Sequence, residues 1–404
     1  MRVLPRASAR RTVAVTAVLP MLVSAAVLVA PAALAGDGPT VRLPVLVSGL
    51  EADADCAKAS TSVAKALPWE HQSLELSRAA SFSTGAGVKV AVVDTGVSAT
   101  APTLAGRVRV LGSAGDDCVG HGTFVAGLIA AAPTKGVAFH GVAPRAEIIA
   151  VRGTNERGTP SAASVASGIR EAVDAGADVV DVSAALPSTS RELDAAVAYA
   201  ARHDALIVAA AVPDPPSRTS ASSSAPPARD YWPAAAPGVL SVLDLDVKGQ
   251  RPTKALLPVH VDLAAPGDAV VGIGPRGHGH FIGSGASLAA AYTAGTAALV
   301  RSAFPDLTAE QVAQRLVSTA YPDAVSRLDA YAALASVRDR TKVDGTTAAV
   351  PESRVSMPDT SDGDRATRMG MLVAALAVGA VLVVGWAAVV VPRGRARGWR
   401  PTRH

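Results

Sequence analysis

Three polar residues far apart in the chain have the types that acyl transfer needs. They are Asp94 in VAVVDTGV, His121 in GHGTFVAG and Ser287 in SGASLAAAYTAG. A serine hydroxyl is a poor nucleophile at neutral pH, so a histidine must take its proton. A carboxylate then fixes the imidazole tautomer and stabilises the imidazolium that forms. The order Asp, His, Ser is one of three unrelated chain orders for such a triad. Each residue also has a plain structural reading. An aspartate before Thr-Gly shapes a turn, His121 can cap the helix it opens, and Ser287 can cap an alanine-rich helix. Glycines flank all three, and the joint pattern favours catalysis over three separate coincidences. Ser287 is expected to do both things, to cap its helix and to attack.

The elements that must position these residues alternate along the chain. GVKVAVVDTGV (87–97) reads as a buried strand ending in a turn, and HGTFVAGLIAAA (121–132) as a helix. A strand follows at 146–153, an amphipathic helix at 161–176 and a strand at 177–185. A helix at 192–205 and a strand at 206–212 continue the pattern. Residues 213–229, rich in Pro and Ser, read as an irregular loop. Ordered chain resumes at 231–249 and 260–274, and helices are expected from Ser287 to about Ser302 and at 307–320. Alternating strands and helices imply an α/β fold, a parallel sheet with helices on both faces. At one edge of such a sheet strand ends and helix starts gather polar groups. No internal repeat is present.

Composition narrows the compartment and the partners. Of 404 residues, 49% are hydrophobic but only 3% aromatic, so the core is built from Ala, Val, Leu and Ile. The net charge is +4, and several arginines sit in the terminal tails, which leaves no broad basic surface for nucleic acid. The first apolar segment follows Arg2, Arg6, Arg10 and Arg11 and ends in Ala33-Leu34-Ala35. This is the pattern of a secretory signal peptide over 1–35. The second runs from Met371 to Val391 without a charge, about the 20 residues that a membrane-crossing helix needs. Arg393, Arg395, Arg397, Arg400 and Arg403 follow it. By the positive-inside rule the C-terminus faces the cytoplasm and the rest of the chain lies outside. The two cysteines, Cys56 and Cys118, read as one disulfide in an exported protein, with two separate thiols as the other reading. No metal-ligand cluster is evident and no cofactor is expected.

Asp94-Thr95-Gly96, His121-Gly122-Thr123 and Gly285-Ala286-Ser287, with GVAP (141–144) and AAPG (264–267), resemble in order the signature blocks of subtilisin-like serine proteases, the subtilases. The resemblance spans roughly residues 68–336. PWEHQSLELSRAASFSTGAGVKVAVVDTGV, the cysteine just before GHGTFVAG and the C-terminal apolar helix with its basic tail look like a mycosin. Mycosins are membrane-anchored subtilases attached to type VII secretion systems. The resemblance implies a subtilisin-like parallel sheet and a Cys56–Cys118 bridge that pins an N-terminal extension to the catalytic domain. It implies Asp94, His121 and Ser287 as catalytic residues and Ser183, Ala184 and Ala185 along the peptide cleft. The implied organisation is a signal peptide (1–35), extension (36–80), catalytic domain (81–337), polar linker (338–368), transmembrane helix (369–391) and basic cytoplasmic tail (392–404). The implied partners are a protein or peptide substrate, the secretion membrane complex and the lipid bilayer.

The chain departs from the subtilase pattern in several places. Ala286 and Ala291 stand where Thr and Pro are usual. The stretch that usually carries an oxyanion-binding asparagine reads AAAVPDP, with Val212 and Pro213 on the Gly-Asn positions. The one asparagine, Asn155, follows a different strand. Ser217 or Ser220 of the serine-rich loop is a conceivable replacement donor, beside the backbone N–H of Ser287. The block DVSAAL carries Asp181 and Ala185 in place of Asn and Gly. Two functions of different class follow: a membrane-anchored extracytoplasmic endopeptidase, or a catalytically weak subtilase that serves as a structural part of the secretion complex.

Overall fold

The computed structural model of the chain describes residues 41–215, 227–252, 255–337 and 361–398. The expected signal peptide, the serine-rich loop with Ser217 and Ser220, and the linker up to residue 360 lie outside the described residues. The chain divides into two compact units, Met1–Val337 and Arg338–His404.

In the first unit, two short helices open the described chain, α1 (Trp69–Ser73) and α2 (Leu76–Ala79). They precede β1 (Lys89–Asp94), β2 (Val108–Val110), α3 (His121–Ala130) and β3 (Glu147–Arg152). Next come α4 (Ala162–Asp174), β4 (Val179–Val182), α5 (Arg191–Arg202), β5 (Leu206–Ala210) and β6 (Val239–Leu245). The unit ends with β7 (Leu263–Pro266), β8 (Val270–Ile273), β9 (His280–Gly283), α6 (Ala286–Ala303), α7 (Ala309–Ser318) and α8 (Ala330–Ala335). Seven strands form one sheet in the order β2-β3-β1-β4-β5-β6-β7, with every pairing parallel. β8 and β9 form an antiparallel pair.

Successive strand side chains point to opposite faces, and both faces are covered. Val90 and Val92 of β1 join the core beneath α3 and α6, whereas Ala91 and Val93 join the core beneath α4 and α5. That double burial is why the strands are apolar runs rather than alternating ones. α6 is buried along nearly its whole length. A helix apolar all round belongs inside, and its alanines let it lie against the sheet. The small, aromatic-poor composition therefore serves close packing.

The chain passes from β1 to β3 on one side and to β4 on the other, so polar groups at the carboxyl ends of β1 and β4 meet at a switch point of the sheet. The extension belongs to the first unit. The Leu46 N–H donates to Ile282 O at 2.9 Å, and the Ala57 N–H donates to Cys118 O at 2.8 Å. Cys56 and Cys118 are bonded as a disulfide.

The described residues of the second unit hold one helix, α9 (Ser361–Ala396). It starts earlier and ends later than expected: residues 361–368 of the expected linker and the first residues of the expected tail are helical. Pro392 lies inside it, and Arg393 and Arg395 in its last turn carry the charge that a helix C-terminus favours. Its apolar portion, Met369–Ala396, has 28 residues and a mean hydropathy of 2.6, and none of its most apolar stretch is buried. At 1.5 Å per residue that length exceeds the roughly 30 Å hydrocarbon core of a bilayer.

Candidate active site

Asp94 ends β1 and His121 begins α3, and a buried network clamps these two ends together. Asp117 Oδ1 accepts from the Thr95 hydroxyl at 2.8 Å and from the Gly120 N–H at 2.7 Å. Its Oδ2 accepts from the Thr123 hydroxyl at 2.6 Å and from the Thr123 N–H at 2.9 Å. The Gly122 N–H donates to Thr95 Oγ1 at 2.9 Å. A Cβ at Gly122 would lie 2.0 Å from the Gly96 carbonyl oxygen, so only glycine lets the helix approach this closely. The Thr-Gly after Asp94 and the Gly after His121 are thus the two sides of one contact. Asp117, absent from the sequence reading, holds both.

The result is a chain of side chains. His121 Nδ1 lies 2.8 Å from Asp94 Oδ2, and His121 Nε2 lies 3.1 Å from Ser287 Oγ. All three residues are buried. Residues separated by as many as 193 positions, Asp94 to Ser287, therefore meet in the order that proton transfer requires.

Ser287 does not cap α6. The cap residue is Gly285, and Ser287 is the second residue of the helix, with its hydroxyl turned to His121. The expectation failed because the alanine run begins one residue earlier, at Ala286. His121 likewise spends its ring on Asp94 and Ser287, and Gly120 in a left-handed conformation begins its helix.

A fourth side chain completes the cluster. Pro213 and Asp214 follow β5, and Asp214 reaches across to the start of α6. The Ser287 hydroxyl donates to Asp214 Oδ2 at 2.6 Å, and the Ser287 N–H donates to Asp214 Oδ1 at 3.1 Å. Asp214 Oδ2 is also 3.3 Å from His121 Nε2. The sequence reading put Val212 and Pro213 at this place; the residue that faces the serine is the next one. The backbone N–H of Ser287, expected as a free donor, is engaged by this carboxylate. Asn155 is not near the serine's bonds: its Oδ1 accepts from Arg157 N and Thr159 N within its own turn. The signal available in the sequence was a carboxylate four residues past the wholly apolar β5, near the carboxyl edge of the sheet where Asp94 ends β1.

Burial works against charge on His121, but the Asp94 charge and the hydrogen bonds to Asp214 and Asp94 outweigh it and hold the imidazole proton well above the usual histidine range. Burial likewise pushes Asp94 up, yet the neighbouring His121 keeps its carboxyl below its ordinary value. Asp181 on β4 is different. It is fully buried, and both its carboxyl oxygens lack a hydrogen-bond partner among the described residues. Burial, with the charge of Asp94, drives its proton affinity well up.

A cleft opens in front of this cluster. Asp94, His121, Pro213 and Asp214 line it on one side and Ser183, Ala184 and Ala185, just past β4, on another. Ser48 of the extension also lines it. Ser287 itself has no exposed surface. Among the described residues, no group of three or more His, Cys, Asp and Glu side chains is arranged to hold a metal ion.

A model of the subtilase family matches residues 85–354. Mycosin-4 of Mycobacterium tuberculosis is 36% identical over 338 residues, which cover 70% of this chain and 73% of the relative. A solved structure of the MycP3 protease from the type VII (ESX-3) secretion system aligns at a TM-score of 0.59 and 31% identity, over 74% of this chain and 98% of that one. The periplasmic assembly from the ESX-5 inner membrane complex aligns at a TM-score of 0.63 and 28% identity, over 79% and 97%.

Proposed function

This chain belongs to the subtilase family, and within it to the mycosins; from that premise we propose that it is a membrane-anchored endopeptidase of a type VII secretion system. The observation that carries the reading is the unbroken line Asp94 Oδ2, His121 Nδ1, His121 Nε2, Ser287 Oγ, at 2.8 and 3.1 Å. In this reading Ser287 Oγ attacks the scissile carbonyl carbon while its proton passes to His121 Nε2. Asp94 holds the imidazole by Nδ1 and stabilises the charge it gains. Collapse of the intermediate breaks the C–N bond, and the leaving amine takes the proton from His121. Water then repeats the sequence on the acyl-enzyme. The substrate lies extended in the cleft along Ser183, Ala184 and Ala185.

The anchor in this reading is α9, with the arginines after it on the cytoplasmic side and the catalytic unit outside, delivered there by the N-terminal signal. Membership of a secretion membrane complex is supported by the likeness to the ESX-5 periplasmic assembly. That membership is compatible with proteolysis, and the triad supports the enzyme over a pure scaffold.

The test is terminal-peptide profiling of membranes and culture fluid from the native host carrying either the wild-type chain or Ser287→Ala. The reading expects a set of new protein termini that vanish with Ser287→Ala while the chain still enters its complex. Identical termini in both strains contradict it.

A further inference from the structure

Acyl transfer needs donors where the carbonyl oxygen gains negative charge. Beside Ser287 that place holds a carboxylate. Asp214 takes the Ser287 backbone N–H on one oxygen and the hydroxyl on the other. Its position is built: a Cβ on Gly285 would sit 2.0 Å from Asp214 Oδ1, so the bare glycine is the cradle for that oxygen. A charged Asp214 would meet a developing oxyanion with repulsion, and it also covers a nucleophile that has no exposed surface of its own.

We propose that Asp214 is the oxyanion donor of this enzyme in its protonated form and the block on that same place in its ionised form. The inference rests on the endopeptidase reading above. His121 Nε2 and Asp214 Oδ2 are 3.3 Å apart, close enough for one proton to pass between them. With the proton on His121, the imidazolium cannot act as a base, and the carboxylate keeps the hydroxyl and N–H of Ser287. With the same proton on Asp214, His121 Nε2 is free to accept from Ser287, and the carboxylic acid donates to the substrate's carbonyl oxygen. Ser287 Oγ then bonds to the carbonyl carbon, its proton goes to His121, and the C=O pair moves to oxygen, which accepts from the Asp214 O–H and the released Ser287 N–H. The electron pair returns when the C–N bond breaks. Asp214 keeps its proton throughout, so nothing is consumed.

Other carboxylates face this pair. Asp94 faces His121 from β1, and Asp181 faces the cluster from β4, its proton affinity raised by burial. On β6, Asp244 is the next carboxylate toward Asp214, and it is paired with Arg251. No cation among these is bonded to Asp214 to lock it in the ionised state.

The sign of the pH dependence follows. Alkali removes the shared proton, leaving a neutral base but a charged carboxylate in the oxyanion place, so the rate falls as pH rises. Acid adds a second proton and silences His121. Asn at position 214 donates at every pH and has no proton to lose.

The experiment measures the rate of fluorophosphonate labelling of the full chain in detergent from pH 4 to pH 10, for the wild type, Asp214→Asn and Asp214→Ala. The expected result is an alkaline fall in the wild type that both variants lack. At the alkaline end Asp214→Asn should label about 10²–10³ times faster than the wild type, the worth of one oxyanion donor. Asp214→Ala, which lacks both the repulsion and the donor, should label more slowly than Asp214→Asn at every pH. Labelling with parallel pH profiles in wild type and variants overturns this inference and leaves the endopeptidase reading standing. Folded protein that labels at no pH, in any of the three, overturns both.

Discussion

His121 and His71 are both buried, each within a few residues of an acidic side chain, yet they are pushed in opposite directions. His121 stands between Asp94 and Asp214 and keeps its proton well above the usual range. His71, in α1, has no hydrogen-bond partner on either nitrogen among the described residues. Burial, with the charge of His140, depresses it to about 3. The carboxylates repeat the contrast. Asp94 is held low by His121, whereas burial lifts Glu70 to about 7, despite one bond accepted from the Val271 N–H at 2.8 Å. Burial alone neutralises a side chain; burial beside an opposite charge preserves it. The cleft uses the second arrangement to keep charge on Asp94 and His121, and α1 uses the first to exclude it.

The largest effect comes from breaking the charged arrangement at its reacting end. Ser287→Ala or His121→Ala should cut turnover by about 10⁶, because the members of a triad act as a unit. Hydrolysis of an unstructured protein substrate at fixed pH checks this. Asp94→Asn should cost about 10⁴ by favouring the wrong imidazole tautomer. It should also bring His121 down toward the neutral behaviour of His71, visible as a shift of the acid limb of the pH–rate profile to lower pH.

A smaller effect concerns the way the clamped helix start is tied to the extension. The Cys56–Cys118 bridge closes a sequence separation of 62 residues beside the Asp117 network. Replacing both cysteines with serine should cost about 4 kcal/mol of stability on the loop-entropy scale. Urea unfolding of the full chain reads that loss.

The neutral arrangement yields the smallest and sharpest effect. Glu70 binds its proton more tightly folded than unfolded, so its contribution is full below pH 4.5 and is lost as pH rises toward 7. His71 binds its proton less tightly folded, so its contribution is full above pH 6.5 and is lost as pH falls toward 3. Between pH 4.5 and 6.5 the two slopes cancel. Relative to the wild type, Glu70→Gln should make stability rise with pH across that window by about 1.4 kcal/mol per unit, and His71→Leu should make it fall by as much. Urea midpoints at the two ends of the window decide the signs.

The same contrast explains what the sequence could convey. Asp94, His121 and Ser287 were legible because each sits in a run of glycines that close packing demands, and the strands around them because both faces of the sheet are buried. The Cys56–Cys118 bond and the long apolar C-terminal helix were legible from residue count and compartment logic. Asp214 was not. Its contact with Ser287 spans 73 positions, and Pro213 before it broke the expected motif by one residue. Asp117 has no local pattern to mark it, and Asp181 shows in the sequence only as a departure from the subtilase block: only the fold shows that the first has four donors and the second none among the described residues. The short α1, α2 and α8 and the β8–β9 pair have no periodicity long enough to mark them, and they are held by one another and by neighbours: α1 by β8, α2 by α8, and β9 by the extension at Val45.

The central claim is that Ser287 is a nucleophile served by His121, and one measurement tests it directly. The detergent-solubilised full chain is treated with a fluorophosphonate, digested, and the modified residue identified by mass spectrometry, alongside Ser287→Ala and His121→Ala. The account predicts a single adduct on Ser287 that both substitutions abolish. A folded wild-type chain without that adduct, or an adduct that persists without His121, contradicts it.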